Sequence, residues 1–399
     1  MEPVGLVDKL DRWSRRHRGI RFHLLKLNNF LFYFTCNHQR ISQLVCVMKI
    51  LPFKLQAIAL VALSAGAGLA RAQTTATTTP VGFITRTIAA ATNATTPTNT
   101  TLSFPLYNSP DFVSSVVSID SPNQFTLTGA TWVAGQFAVA SAPRLVRVKS
   151  SVTASNIGRF FLVSANTTNQ LTVTLADGVT DIHAALTVGD TCEVVAANTL
   201  GSIFGRAANP PTLQAGSTAG TADNVLLFNG TTWVTYYWTG SVGTPANIWK
   251  QAGNIDRSGV IIYPDESVFV IRRAVGSSAV ITNIGTVSNS AERSYIAGAG
   301  STFLSNRFAT DLTIGGLGLQ NLPGWLAGST SSTADKVLSW NGTTWVTYYW
   351  TGTIGTPNNI WKQAGNIDRS GVAIPAGTGV FIIHSGAPLN LPQSLPYSL

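Results

Sequence analysis

The fold is decided by a stretch that occurs twice, first as Ala222-Asp-Asn-Val-Leu-Leu-Phe-Asn-Gly-Thr-Thr-Trp-Val-Thr-Tyr-Tyr-Trp-Thr-Gly240. Two apolar runs flank Asn229-Gly230. An Asn-Gly pair between such runs is the strongest short signal for a β-hairpin, because both residues tolerate a positive φ. The stretch recurs from Ala334, with Asn341-Gly342 at its turn. The sequence therefore predicts one hairpin that is built twice.

The similarity of the two copies extends well beyond the hairpin. Residues 222–260 match residues 334–372 at all but six positions, at an offset of 112 residues. That offset is too long for a solenoid repeat and suits a whole domain. We predict two tandem, near-identical β-sandwich-like modules at 199–287 and 300–386, followed by a proline-rich tail at 387–399.

The chain before the repeat also has the pattern of short strands. Residues 144–149 and 170–175 alternate apolar and polar side chains, and turn clusters recur roughly every 8–12 residues, as in a sandwich or barrel. No stretch keeps a helical period. We predict an all-β protein whose first β domain, a barrel or a sandwich, spans 73–198.

The positive charge is confined to the start of the chain. Residues 1–72 hold eleven Lys or Arg and three acidic residues, a net charge of +8, whereas the remaining fifteen bases and fourteen acids give +1. A nearly neutral body lacks the basic surface that binds phosphates. The composition therefore argues against a nucleic-acid partner.

Residues 48–72 have the pattern of a signal peptide. Lys49 and Lys54 precede an apolar run that ends at the A-x-A site Ala70-Arg-Ala72, so export and a mature start at Gln73 are predicted. The alternative is a membrane anchor, but the run is short for a transmembrane span. Residues 1–47 fit no targeting pattern; they are interpreted as a mis-called start before Met48, or alternatively as an unusually long leader.

Several short motifs together resemble a family of uncharacterised exported proteins of Gram-negative bacteria. They are Pro80-Val-Gly-Phe, Gly158-Arg-Phe-Phe, Leu200-Gly-Ser-Ile-Phe-Gly, the Ala-Asp-x-Val and Asn-Gly-Thr-Thr-Trp strands, and Gly379-Val-Phe-Ile-Ile. More loosely, the modules are similar to β-sandwich modules of secreted bacterial surface proteins. The resemblance implies a β fold and export, and it assigns no role to any residue.

The residues give little support to an enzyme. Residues 73–399 hold only His183 and His384, without the spacing of a metal site, and neither a nucleophile elbow nor a phosphate loop is present. No catalytic residue, metal site or cofactor is predicted. The polar block 254–259, repeated at 366–371, is interpreted as a turn, with a cation site as the alternative. Cys192 is predicted to be buried in a strand.

The repeated aromatic strand is the candidate binding site. Side chains alternate faces along Trp233-Val-Thr-Tyr-Tyr-Trp238, so one aromatic face remains after the other enters the core, unless the other module covers it. Because Leu227 is replaced by Ser339, the face that it shares with Val225 is predicted to be exposed. The candidate ligand-binding residues are Trp233, Tyr237, Trp238, Trp249, Trp345, Tyr349, Trp350 and Trp361.

These observations favour an exported structural or interaction protein of the periplasm, outer surface or medium. Its partner would be a cell-envelope polysaccharide or a surface protein, with no transmembrane span after cleavage. One alternative is a carbohydrate-binding protein that uses the repeated Trp and Tyr strands. The other is a polysaccharide hydrolase, which needs two carboxylates about 5–10 Å apart at a cleft.

Overall fold

The computed structural model describes residues 20–27, 30–37, 80–93, 95–175 and 178–398, which fall in two separate units at 1–77 and 78–399. In the first unit, strands β1 (Ile20–Leu27) and β2 (Phe30–Asn37) pair as an antiparallel hairpin. The predicted signal peptide at 48–72 and the predicted mature start at Gln73 lie outside the described residues.

The second unit is built almost entirely of strands, which confirms the predicted all-β fold. Its longest described helix is α1 (Leu200–Phe204). No helix in the described residues is long and apolar enough to cross a membrane. In chain order the strands are β3 (Val81–Ile88), β4 (Thr98–Leu102), β5 (Pro110–Ser121), β6 (Gln124–Leu127), β7 (Arg144–Ser150), β8 (Phe160–Asn166), β9 (Gln170–Thr174), β10 (Thr191–Ala196), β11 (Asn224–Phe228), β12 (Trp233–Trp238), β13 (Trp249–Lys250), β14 (Val268–Arg272), β15 (Ala279–Thr286), β16 (Glu292–Ile296), β17 (Gly300–Ser305), β18 (Leu312–Thr313), β19 (Lys336–Trp340), β20 (Trp345–Trp350), β21 (Trp361–Lys362), β22 (Ala373–Ile374), β23 (Gly379–His384) and β24 (Leu389–Gln393).

A closed six-stranded barrel forms from the order β10-β5-β6-β9-β8-β7. Its alternating strands send Phe125, Val146, Phe161 and Leu171 into one apolar core. Cys192 on β10 is fully buried in that core, as predicted. Closure leaves the barrel without a free strand edge, because every strand pairs on both sides.

The first copy of the repeat lies in a five-stranded sheet of order β13-β12-β11-β14-β4. The predicted hairpin turn at Asn229-Gly230 joins β11 and β12, and Gly230 has a φ of 92°. The side chain of Asn229 closes the turn by accepting from the backbone N–H of Thr231 and Thr232. The hairpin therefore forms where the local sequence predicts it.

The second copy lies in a sheet of order β17-β23-β19-β20-β21, with equivalent pairings. The pair Val225 with Tyr236 in the first sheet corresponds to Val337 with Tyr348 in the second, at the sequence offset of 112 residues. Each sheet packs on its own apolar core. The matching sequence thus produces matching strand register.

A two-stranded ribbon accompanies each five-stranded sheet. β3 pairs with β15 over eight residue pairs, and β16 pairs with β24 over five. Both ribbons are antiparallel, and each sends an isoleucine, Ile88 or Ile296, into the core of its own sheet. A third short pair joins β18 to β22.

The barrel is inserted within the first half of this unit. The chain leaves the first sheet after β4, builds the barrel from β5 to β10, and returns at α1. The side chain of Asn108 donates to the carbonyl of Ala196, so the two ends of the barrel segment lie side by side. β3 and β4 fall within the predicted first β domain at 73–198, but in the structure they pair with β15 and β14 rather than with barrel strands.

Candidate functional site

The predicted aromatic face lies between the two five-stranded sheets. Trp233 on β12 contacts Phe303 and Phe381 of the second sheet, and Trp345 on β20 contacts Phe269 of the first. Both tryptophans are only partly buried. We call the rings that meet here the aromatic clasp; they are Phe228, Trp233, Phe269, Phe303, Trp340, Trp345 and Phe381.

Contacts across the clasp are reciprocal. The Trp233 ring stacks on Phe381 at 5.9 Å and 27°, and the equivalent Trp345 ring stacks on Phe269 at 5.8 Å and 27°. Phe228 meets Phe381 edge-on, as Trp340 meets Phe269. Each sheet therefore presents the same face to the other, in the manner of a self-complementary dimer interface within one chain.

Backbone hydrogen bonds extend this reciprocity. The N–H of Ser103, next to β4, donates to the carbonyl of Gly377 at 2.9 Å, and the N–H of Ser305 on β17 donates to that of Asp265 at the same distance. Both acceptors precede the sheet strands that carry Phe381 and Phe269. The two sheets are thus joined by backbone pairing beside the clasp.

The other predicted binding residues enter the cores. Trp249 and Trp361 have no exposed surface, and Trp238 is 3% exposed. The indole N–H of Trp249 donates to the carbonyl of Gly205 at 2.8 Å, and that of Trp361 to the side chain of Gln320 at 3.3 Å. A buried ring has no free face for a ligand in this conformation.

The remaining three predicted residues also contact protein. Tyr237 and Tyr349 are 7% and 6% exposed, and the hydroxyl of Tyr349 reaches the carbonyl of Ser329. Trp350 is partly buried and packs against Trp361 at 6.0 Å. Binding of a ligand by these aromatics stays a prediction, and their contacts in the structure are with other parts of this chain.

The prediction that Val225 and Leu227 form an exposed face of β11 is wrong. Val225 is fully buried and Leu227 is 9% exposed, and both belong to the core of the first sheet. Ser339, the counterpart of Leu227, is half-buried. Leu227 pairs with Val234, which is also only half-buried, near the hairpin end. The serine therefore marks the margin of the core rather than an exposed face.

The polar block 254–259 forms a local turn, as interpreted from the sequence. The carboxylate of Asp256 accepts from the backbone N–H of Trp249 and Ser258 and from the Ser258 hydroxyl, and Asp368 does the same in the second copy. These bonds, the hydroxyl of Ser370 first, lower the pKa of Asp368. In the described part of the chain, no group of three His, Cys, Asp or Glu side chains is arranged to hold a metal ion.

The most distinctive polar feature is a charge cluster where the barrel meets the other strands, which we call the junction cluster: Tyr107, Arg147, Glu193, Glu292 and Arg307. Arg147 on β7 donates to Glu292 at 2.6 Å and to Glu193 at 3.3 Å. Arg307 donates to the other oxygen of Glu292 and also reaches the hydroxyl of Tyr107. Tyr107 itself donates to Glu292 at 2.8 Å.

All five residues are buried, with at most 9% of their surface exposed. Glu292 is completely buried, Arg307 and Arg147 are 1% and 3% exposed, and Tyr107 and Glu193 reach 9% and 7%. An isolated charge at such depth is costly, so each needs its partner. The positive charges stack on rings as well: the Arg147 guanidinium lies 4.6 Å from the Tyr107 ring centre.

The cluster sets the protonation of its members. Burial raises the pKa of Glu292, but the charges of Arg147 and Arg307 outweigh burial, so that its pKa lies below the usual value and it stays ionised. Burial raises the pKa of Tyr107, which therefore stays protonated and can donate. Tyr397 is not a member of the cluster, but burial raises its pKa as well, to about 12.

A small cavity of about 80 Å³ opens beside the cluster. Its lining includes Tyr107, Arg147, Lys149, Glu193 and Ser288. A volume of this size accommodates a few water molecules. Lys149 also donates to Glu193, so both carboxylates at the cluster are engaged by cations.

Sequence reasoning missed the cluster because its members are far apart in the chain. Arg147 is 145 residues from Glu292, and Tyr107 is 200 residues from Arg307. One available signal was Arg307 itself, which stands between Asn306 and Phe308. An arginine between buried neighbours requires a buried partner.

The repeated Ala-Asp-x-Val motif also has a structural role that the sequence did not reveal. Asp223 is 1% exposed and accepts from the guanidinium of Arg272 at 2.5 Å and from the N–H of Gln214 at 2.6 Å. In the second copy, Asp335 binds the ring of His384 at 2.7 Å and the N–H of Leu326. His384 thus replaces an arginine as a structural partner.

No protein-family model, curated protein or solved structure matches this chain. The resemblance to exported proteins of Gram-negative bacteria therefore stays an expectation from the motifs.

Proposed function

We propose that this chain is an exported structural or interaction protein of the cell envelope or surface. The observation that carries the proposal is the junction cluster. It ties the barrel to the ribbon strand that begins at Glu292 and to the segment after β17 that carries Arg307. Buried charges are thus placed where the barrel meets the other strands, and they fix how those parts are arranged.

The same contacts argue for a structural use of these groups. A hydrolase needs a carboxylate that is free to act as an acid, base or nucleophile beside its substrate. Glu193, which lines the cavity, is bound by Arg147 and Lys149, and the fully buried Glu292 is bound by Arg147, Arg307 and Tyr107. A fixed arrangement of β parts suits a spacer or a platform for partners.

The arrangement can be tested in solution by small-angle X-ray scattering of the purified chain. We expect the scattering of residues 78–399 to match a single fixed arrangement of the barrel and both sheets. Arg147→Met keeps the length of the side chain but removes the one cation that Glu193 and Glu292 share, so it should broaden the distance distribution. Arg144→Met, at a partly exposed pair with Asp111, is the matched control. Identical broad profiles for all three proteins would contradict the proposal.

Export has its own test in the producing bacterium. The protein should be recovered from the envelope or the medium with Gln73 at its N-terminus. Ala72→Phe places a large residue at the cleavage site and should leave the leader attached. Ala76→Phe, just beyond the site, is the control. Recovery of the wild-type protein only from the cytoplasm, with the leader intact, would refute export.

A further inference from the structure

Within the described ranges, nothing pairs with the outer backbone edge of β3 in the ribbon of β3 and β15. The N–H of Val287 donates to the carbonyl of Pro80 at 2.8 Å, which sets the alternation along the register. In an antiparallel pair, hydrogen-bonded and non-bonded residue pairs alternate. The N–H and C=O groups of Gly82, Ile84, Arg86 and Ile88 therefore point to β15, and those of the residues between them point away.

The outward-pointing residues of β3 are Val81, Phe83, Thr85 and Thr87. Each of them is exposed, with Phe83 at 73% and Val81 at 69%. Among the described residues, no backbone group hydrogen-bonds to their outer edge. β15 differs, because its far edge at Thr286 exchanges two backbone hydrogen bonds with Tyr107.

One face of the ribbon is exposed and carries no charge, and we call it the ribbon face. Ile284, 65% exposed, lies opposite Phe83, and Val280, 50% exposed, lies opposite Thr87. Thr85 and Thr282 complete the row, with 3.3 Å between their hydroxyl oxygens. The ribbon face consists of Val81, Phe83, Thr85, Thr87, Val280, Thr282 and Ile284.

This edge lacks the features that keep edge strands apart. Monomeric β proteins protect such strands with charges, prolines, bulges or a covering loop. β3 has an unbroken register of eight pairs, has no proline, and turns its single charge, Arg86, toward the opposite face beside Gly377.

The second ribbon of the chain provides an internal comparison. β24 contains Pro392, and the barrel covers β16 so closely that a side chain at Gly158 would lie 2.6 Å from the backbone nitrogen of Arg293. That ribbon is protected by a proline and by the barrel, and β3 by neither.

From these observations we propose that β3 pairs in antiparallel fashion with β3 of a second copy of this chain. The free edge is self-complementary, because donors and acceptors alternate along it and two copies related by a twofold axis satisfy each other. Self-pairing places uncharged residues opposite one another, so no like charges meet. The product is a four-stranded sheet, β15-β3-β3-β15, with the two ribbon faces side by side.

The proposal is independent of where the protein acts, and sedimentation equilibrium of the complete chain purified at micromolar concentration tests it. We expect a concentration-dependent dimer. Thr85→Pro removes one outward N–H and is compatible with the ribbon, because a proline is tolerated where an edge strand's N–H faces solvent. Thr85→Lys brings two positive charges, one from each copy, together at the pairing edge. Each change should raise the dissociation constant of the dimer at least tenfold. Val152→Lys, at a 92% exposed barrel site, is the charge control and should leave it unchanged.

Amide hydrogen exchange identifies the strand involved. The amides of Phe83 and Thr85 should be protected at high concentration and exchange freely on dilution, while circular dichroism shows that the variants stay folded. Three results would overturn the proposal: a dimer that Thr85→Pro leaves intact, a monomer with both amides free at all concentrations, or a monomer with both protected. The last would indicate that the chain's own N-terminal segment occupies the edge.

Discussion

Removing either tryptophan of the aromatic clasp should cost the same free energy of unfolding. Trp233 contacts four other rings, Phe228, Phe269, Phe303 and Phe381. An aromatic pair is worth roughly 0.5–1.5 kcal/mol beyond its buried area. Four such pairs would give roughly 2–6 kcal/mol, but these contributions are not additive and the ring is partly exposed, so Trp233→Ala should cost about 2–4 kcal/mol.

Trp345 also contacts four rings, Phe269 of the first sheet and Phe303, Trp340 and Phe381 of its own. Trp345→Ala should therefore cost about 2–4 kcal/mol as well. The measurement is urea unfolding followed by far-UV circular dichroism, which does not depend on the lost indole fluorescence. Val152→Ala, at a 92% exposed site, should change stability by less than about 0.5 kcal/mol. A large cost at one tryptophan and none at the other would refute the reciprocal clasp.

Three further predictions concern buried or bonded groups. Glu292→Gln should destabilise the protein by about 3 kcal/mol at neutral pH, because it removes the negative charge that Arg147 and Arg307 share. The pKa of Glu292 is lowered from its unfolded value of 4.5, so its contribution to stability is present above that value and is lost as the pH falls through the folded pKa. The difference in unfolding free energy between the variant and the wild type should therefore shrink in acid. Cys192 should react with a thiol reagent only on unfolding, since burial raises its pKa and excludes the reagent, and labelling of native protein within minutes would contradict this. Asp256→Ala and Asp368→Ala should each cost about 1–2 kcal/mol in calorimetry, and unequal costs would show that the two turns differ.

Local signals in the sequence predict the strands, but they do not identify which distant strands pair. The hairpin at Asn229-Gly230 forms because its turn chemistry and flanking residues suffice. β3 lies within the predicted first β domain at 73–198, but its partner β15 begins at Ala279, far along the chain, and nothing local identifies it. β4 has a threonine-rich sequence without a clear strand pattern, and it becomes a sheet strand by pairing with β14, which begins at Val268.

The candidate site shows the same division. Alternation correctly separated the two faces of β12, with Tyr236 and Trp238 in the core. It could not determine that the second sheet covers Trp233, since that depends on how two distant segments meet. For β11, the replacement of Leu227 by Ser339 in the second copy predicts exposure, whereas a half-buried margin tolerates it equally well.

The insertion of the barrel determines the order in which this protein can be assembled. β3 and β4 are synthesised before the barrel, yet Val81 pairs with Thr286 and Leu102 with Val268. The barrel lies between them and closes on itself, so it can fold while the two early strands wait for their partners. Of the strand pairs described in 78–399, β3 with β15 is the most widely separated along the chain, so β3 stays unpaired longest as the chain is synthesised. Its uncharged face must therefore be kept from aggregating until β15 has emerged.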